Sequence, residues 1–133
     1  MKSYGITLLR LTVGAIYLMH AYRLLVITTP AGVARFVESA FALPYPGAIA
    51  WLVIAVHGLG GLALMAGILT RPAAAANGLL TLVTLVRIHV PQGFFLRGAE
   101  RAVLGYEYVL LLGVATIALL LLGSGPVALR PSK

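Results

Sequence analysis

The chain has 133 residues, 61% of them hydrophobic and 10% charged, and its mean hydropathy is +1.03. So few charges cannot cover a soluble domain, whereas a lipid-facing surface needs none, so the chain reads as an integral membrane protein. Cysteine and aspartate are both absent, which excludes disulfides, iron–sulfur ligation, covalent c-type haem and Ser–His–Asp catalysis, and no metal site is expected.

Ten Lys and Arg stand against Glu38, Glu100 and Glu107. The basic residues sit singly at the ends of apolar runs, which fits lipid headgroups and topology and argues against nucleic acid. Any redox role must use a bound cofactor or a partner subunit.

The first span is expected over residues 4–26. Lys2 before an apolar stretch resembles a leader peptide, but Arg10 interrupts it and the pattern continues well past, so a membrane helix is the better reading. Arg10, Gly14, Tyr17 and Ala21 recur at three- and four-residue spacing and share a face, with His20 at its margin. Thr29-Pro30 then reads as a helix start. The helix that follows places Val33, Phe36, Val37, Ala40 and Phe41 on one face, a short amphipathic helix at the membrane interface. Pro44 and Pro46 end it.

The second span is expected over 48–69 and carries VHGLGGLALMAG, in which His57, Gly60, Gly61, Leu64 and Gly67 share a face. Such a glycine face suits helix packing, and Gly60 to Gly67 would offer a second copy of the chain a contact. A tight TRP linker at Thr70–Pro72 leads to a third span over 73–90, with Asn77, Thr81, Thr84 and Arg87 as a polar stripe and His89 at its end. The fourth span is expected over 102–122 and contains Glu107. Each span exceeds or approaches the roughly 20 residues that cross a bilayer. The fold class is therefore an all-α membrane protein: a four-helix transmembrane bundle, with a short interfacial helix between spans one and two, forming one domain over residues 1–133.

Ionisable side chains in a span cost at least ~2.5 kcal/mol for Arg and usually face the interior. Glu107 is the one carboxylate within a span, so Arg87, or else Arg23, is its expected partner. The basic residues divide almost evenly between the two sides, with a slight preference for cytoplasmic termini.

LLRLTVGAIYLMHAYRLL, FALPYPGAIAWLVIAVHGLGGLALMAGILTRPAAA, IHVPQGFF and GYEYVLLLGVATIALLLLGSGPVAL, in that order, resemble the DoxX family of small four-span membrane proteins. The resemblance implies a bundle with a polar interior in the inner membrane, related to membrane subunits of quinone-linked oxidoreductases. It maps the family's polar positions onto Arg10, His20, His89 and Glu107. Where the family commonly has Glu, this chain has His57. Where the family commonly ends in an acidic residue, this chain reads ALRPSK.

Together these features give the leading expectation, a quinone site built from Arg10, Tyr17, His20, His57, Arg87, His89 and Glu107. Its His and Tyr would act as donors to quinone carbonyls, and a soluble oxidoreductase subunit would be the partner. Two alternatives stand beside it. One is b-type haem held by His20 and His89; the other is a non-catalytic assembly or anchor subunit.

Overall fold

The computed structural model describes residues 2–95 and 105–129, and every regular element among them is helical. Helix α1 (Lys2–Tyr22) continues through a wide π turn, Arg23–Ile27. Helices α2 (Pro30–Phe41) and α3 (Pro46–Ala66) follow. Helix α4 (Thr70–Thr84) passes into a π turn, Leu85–His89, and a 3₁₀ turn, Val90–Gln92. The last helix is α5 (Glu107–Leu122). Three of these helical stretches, Tyr4–Ile27, Pro46–Ala66 and Thr70–Gln92, are long and apolar enough to cross a membrane, and α5 is a shorter apolar helix. This is a helical membrane protein.

The helices close a ring: α1 packs on α3, α3 on α4, α4 on α5 and α5 on α1. Val13, Tyr17, Leu64, Ala73, Ala74, Leu112 and Leu119 fill its centre. Leu8, Leu59, Leu79, Leu111 and Leu121 point outward, as a surface solvated by acyl chains requires.

Glycine sets the tightest approach. A Cβ on Gly61 would stand 2.8 Å from the Leu18 backbone nitrogen and 2.9 Å from the Gly14 carbonyl oxygen. A Cβ on Gly14 would meet the Gly61 carbonyl at 2.9 Å. The antiparallel α1–α3 crossing is thus backbone against backbone, the close packing that small residues permit in lipid. The glycine face considered for a second copy is filled from within the chain. Gly61 takes α1, a Cβ on Gly60 would strike the Asn77 amide of α4, and one on Gly67 would strike Arg10.

Several expected boundaries move, each for a local reason. The α3–α4 link is Gly67–Leu69, three residues earlier than expected. Gly67 adopts the left-handed conformation (φ 72), its N–H bonds Leu64 O, and Ile68 N–H bonds Ala63 O. That pairing is the Schellman cap, which stops the helix at the glycine. Thr70, Arg71 and Pro72 become the first turn of α4, where proline's missing N–H costs nothing.

The last helix begins at Glu107, five residues later than expected, and Gly105 and Tyr106 are not helical. The Tyr106 and Glu107 N–H groups pair with Gly93 O and Phe94 O instead. The expected start at Ala102, and the charges of Arg97, Glu100, Arg101, Arg130 and Lys133 used to weigh topology, lie outside the described residues.

The amphipathic helix starts where expected. Thr29 Oγ1 accepts from Gly32 N–H at 3.3 Å, and Pro30 holds the first turn. Val33 and Val37 pack against Ala50 and Ile54 of α3, and burying each contributes ~1.5–3 kcal/mol. Phe36 and Ala40 are more exposed than the shared-face reading implies. Helix α2 therefore lies across one end of the bundle as a cap.

Candidate functional site

Four helices and the cap converge on a cavity of ≈ 200 Å³. Its wall includes Tyr17 and His20 from α1, His57 from α3, Thr81, Thr84 and His89 from the α4 stretch, Tyr108 from α5 and Phe36 from α2. All three histidines of the chain are among them.

His57 is buried, and its ring stacks on Tyr17 at 5.3 Å between centroids, 14° from parallel. His20 meets the same ring edge-on at 5.8 Å. Nδ1 of His57 lies 2.8 Å from Oδ1 of Asn77. The Asn77 amide nitrogen donates to Ala73 O at 3.0 Å and to Val56 O at 3.3 Å. Asn77 is fully buried, and all its side-chain hydrogen bonds run to α3 or to its own helix. Gly60 leaves the space this amide fills: a Cβ there would collide with Nδ2.

Beyond the ring stack, the Tyr17 hydroxyl sits 2.8 Å from both Thr81 Oγ1 and Thr116 Oγ1. Thr81 also donates to Asn77 O and Thr116 to Leu112 O, each at 2.8 Å. Three hydroxyls carry three protons, and these four contacts need four. At any instant one link lacks its proton, and it is restored only when the tyrosine or a threonine hydroxyl turns to it and leaves another link bare. A cluster with this shortage has interchangeable hydrogen-bond patterns.

The π turn in α4 decides what faces the cavity at its far end. A regular helix would continue the Asn77, Thr81, Thr84 stripe through Arg87. The wider turn instead brings Ile88 and His89 beneath Thr84 and carries Arg87 outward, where it is exposed. Inserted π turns are frequent at functional sites for this re-aiming. The Arg87 guanidinium lies 5.7 Å from the centroid of the Phe41 ring on α2, not in the ion pair with Glu107 that the sequence implied. Glu107 is the first residue of α5, where a carboxylate faces the positive end of the helix dipole.

Arg10 is also separate from the cavity. It is buried, and its Nη1 donates to Leu64 O at 3.1 Å while Nη2 donates to Val127 O. With no carboxylate near among the described residues, the guanidinium takes Leu64 O at the C-terminus of α3, where the dipole favours a cation, and Val127 O of the C-terminal segment. Leu129 N–H bonds Ala66 O beside it, so Arg10 ties the C-terminal segment to the bundle.

Of the seven residues expected at one site, Tyr17, His20, His57 and His89 meet at the cavity, whereas Arg10, Arg87 and Glu107 do not line it. Asn77, Thr116 and Tyr108 belong to the site's framework and were absent from the expected set. Asn77 could have been found by asking which buried amide faces His57 across the hairpin.

Two neighbouring spaces complete the geometry. A groove on the outer face of α1, lined by Thr12, Ile16, Met19, Tyr22 and Ile27 among others, shares His20 and Tyr108 with the cavity. A second cavity of ≈ 160 Å³ lies beneath α2, and His57 and Thr84 stand at the wall of both. No group of three or more metal-ligating side chains occurs among the described residues.

A family model described as DoxX matches residues 5–90. No curated protein and no solved structure matches the chain.

Proposed function

The chain belongs to the DoxX family, and on that premise we propose that it is a quinone-interacting subunit of a membrane-bound oxidoreductase. The observation that carries this reading is the adjacency of the ≈ 200 Å³ cavity and the groove on α1, which share His20 and Tyr108 at their walls. An apolar site of ~150 Å³ holds a benzene ring, so the cavity has room for one substituted ring but not for a porphyrin. The groove, lined by Ile16, Met19 and Ile27, suits an isoprenoid tail lying at the lipid boundary. Ring and tail together describe a lipid-soluble quinone, whose redox chemistry is its own.

The protein's contribution is to bind and orient. Tyr17 and His57 form a flat stacked wall, and His20, His89 and Tyr108 surround the ring space with groups that donate or accept hydrogen bonds. Haem held by His20 and His89 is the lesser reading, because the cavity would first have to open. A soluble oxidoreductase partner would supply or remove the electrons.

In this reading the chain crosses the inner membrane four times, with both termini cytoplasmic. Helix α5 has 16 residues, about 24 Å at 1.5 Å per residue, so the flanking residues reach the headgroups. Because the chain has no cysteine, Ser3→Cys and Ser132→Cys serve as topology reporters. Both are expected to resist labelling by a membrane-impermeant maleimide added from the periplasmic side.

The binding test is equilibrium titration of the purified protein in nanodiscs with a short-tailed benzoquinone. Wild type is expected to bind, and Val109→Trp, which fills the cavity from α5, should weaken binding at least tenfold. No binding by wild type overturns the proposal.

A further inference from the structure

The hydrogen bonds of Asn77 fix the chemistry of the histidine it touches. Its amide nitrogen faces two carbonyl oxygens, Ala73 O and Val56 O. Turning the amide over would set Oδ1 against both, oxygen to oxygen with no proton between, so Nδ2 occupies that side. Oδ1 therefore faces His57 Nδ1 at 2.8 Å as a pure acceptor. A hydrogen bond at that distance requires the proton to sit on Nδ1. In the neutral ring this leaves Nε2 as a bare lone pair.

His57 lines the cavity, and Nδ1 is already committed, so Nε2 is the ring nitrogen that remains for a ligand. It accepts, and it does not donate.

From this geometry we infer that Asn77 is a positioning residue that makes His57 a hydrogen-bond acceptor, so that the cavity selects a ring bearing a hydroxyl. In terms of the quinone reading, on which this inference rests, the favoured ligand is the reduced hydroquinone. This reverses the role the sequence suggests for histidine, that of donor to a quinone carbonyl. A carbonyl placed against Nε2 would oppose two lone pairs. A hydroxyl would donate.

His20 and Tyr108, also on the wall, do not impose the same choice, because one exchanges tautomer and the other rotates its hydroxyl. The Tyr17 hydroxyl is taken up with Thr81 and Thr116. Selection therefore falls on His57, whose tautomer Asn77 holds from behind, as carboxylates and backbone carbonyls hold metal-bound histidines. Gly60 belongs to the same device, because any larger side chain there would displace the Asn77 amide.

The test has two parts, both on the full chain in nanodiscs. Nitrogen-15 spectra of histidine-labelled wild type, assigned with His57→Gln, should show His57 with a protonated Nδ1 and a bare Nε2; a protonated Nε2 in the neutral ring overturns the inference without any ligand. Anaerobic titration with a one-isoprene benzoquinone and its hydroquinone should then show the hydroquinone binding about tenfold tighter, the typical effect of leaving a buried polar group unpaired. Asn77→Leu, which removes the acceptor that holds the proton on Nδ1, should lose the preference while both forms still bind. Equal or tighter binding of the quinone by wild type overturns the inference and leaves the quinone reading standing. Failure of both forms to bind sinks the quinone reading itself.

Discussion

The two ends of the bundle treat buried polar groups in opposite ways. At the His57 end, side chain meets side chain across helices: His57 with Asn77, and Tyr17 with Thr81 and Thr116. At the Arg10 end, side chain meets backbone, at Leu64 O and Val127 O. That second end also leaves Thr7 Oγ1, Arg10 Nε and Thr70 Oγ1 buried without a hydrogen-bond partner. The contrast separates two tasks. Backbone carbonyls at a helix end cannot rearrange, so Arg10 is a clamp that joins α1, α3 and the C-terminal segment. Hydroxyls and imidazoles exchange roles as donor and acceptor, so the other end can answer a ligand. Polar residues are costly in lipid at either end, and at the His57 end they line a cavity between four helices and the cap.

Mutations can break this comparison or sharpen it. The largest effect should come from the crossing that both ends depend on. Gly61→Leu forces a side chain against the α1 backbone and should cost more than about 3 kcal/mol, since overpacking here meets backbone rather than a movable side chain. Thermal unfolding in detergent would read this, and a fold that tolerates leucine at this position would show the crossing to be looser than described.

Arg10→Met comes next. It removes two charge-assisted bonds and also a buried cation, for a net loss of about 2 kcal/mol. Hydrogen exchange at residues 125–129 should rise while binding in the His57 cavity stays unchanged. A tenfold loss of binding would show that the two ends are coupled.

Tyr17→Phe should cost only about 1 kcal/mol. The proton shortage explains the small figure, because Thr81 and Thr116 keep their carbonyl acceptors when the phenol oxygen is gone. Ligand affinity should change more than stability does. The smallest effect belongs to Arg87→Gln, below about 1 kcal/mol, as expected for an exposed cation over one aromatic ring. A loss of several kcal/mol there would reinstate a buried ion pair.

Much of this was legible in the sequence. Hydropathy and spacing gave the apolar helices, because a helix in lipid must satisfy its own backbone and so declares itself by an unbroken apolar run. The three-and-four spacing put Arg10, Gly14, Tyr17 and Ala21 on the buried face of α1. The same rule failed at Arg87, because a π turn is a property of the hydrogen-bond ladder and leaves no mark in residue spacing. It also failed to assign partners. Arg10 and His57 each read as candidates for chemistry, and nothing in the linear order tells that one reaches carbonyls at a helix end and the other an amide on α4.

The sequence by itself determined that this chain lives in lipid, that it is helical, and which residue types lie inside it. Composition and periodicity are local properties, and the bilayer enforces them segment by segment. Only the tertiary structure decided that three histidines share one cavity, that Arg10 and Arg87 stand apart from it, and that Asn77 dictates which nitrogen of His57 holds a proton. Those outcomes depend on how α1, α3, α4 and α5 are rotated against one another, and that rotation is set by the Gly14–Gly61 contact and by one wide turn in α4.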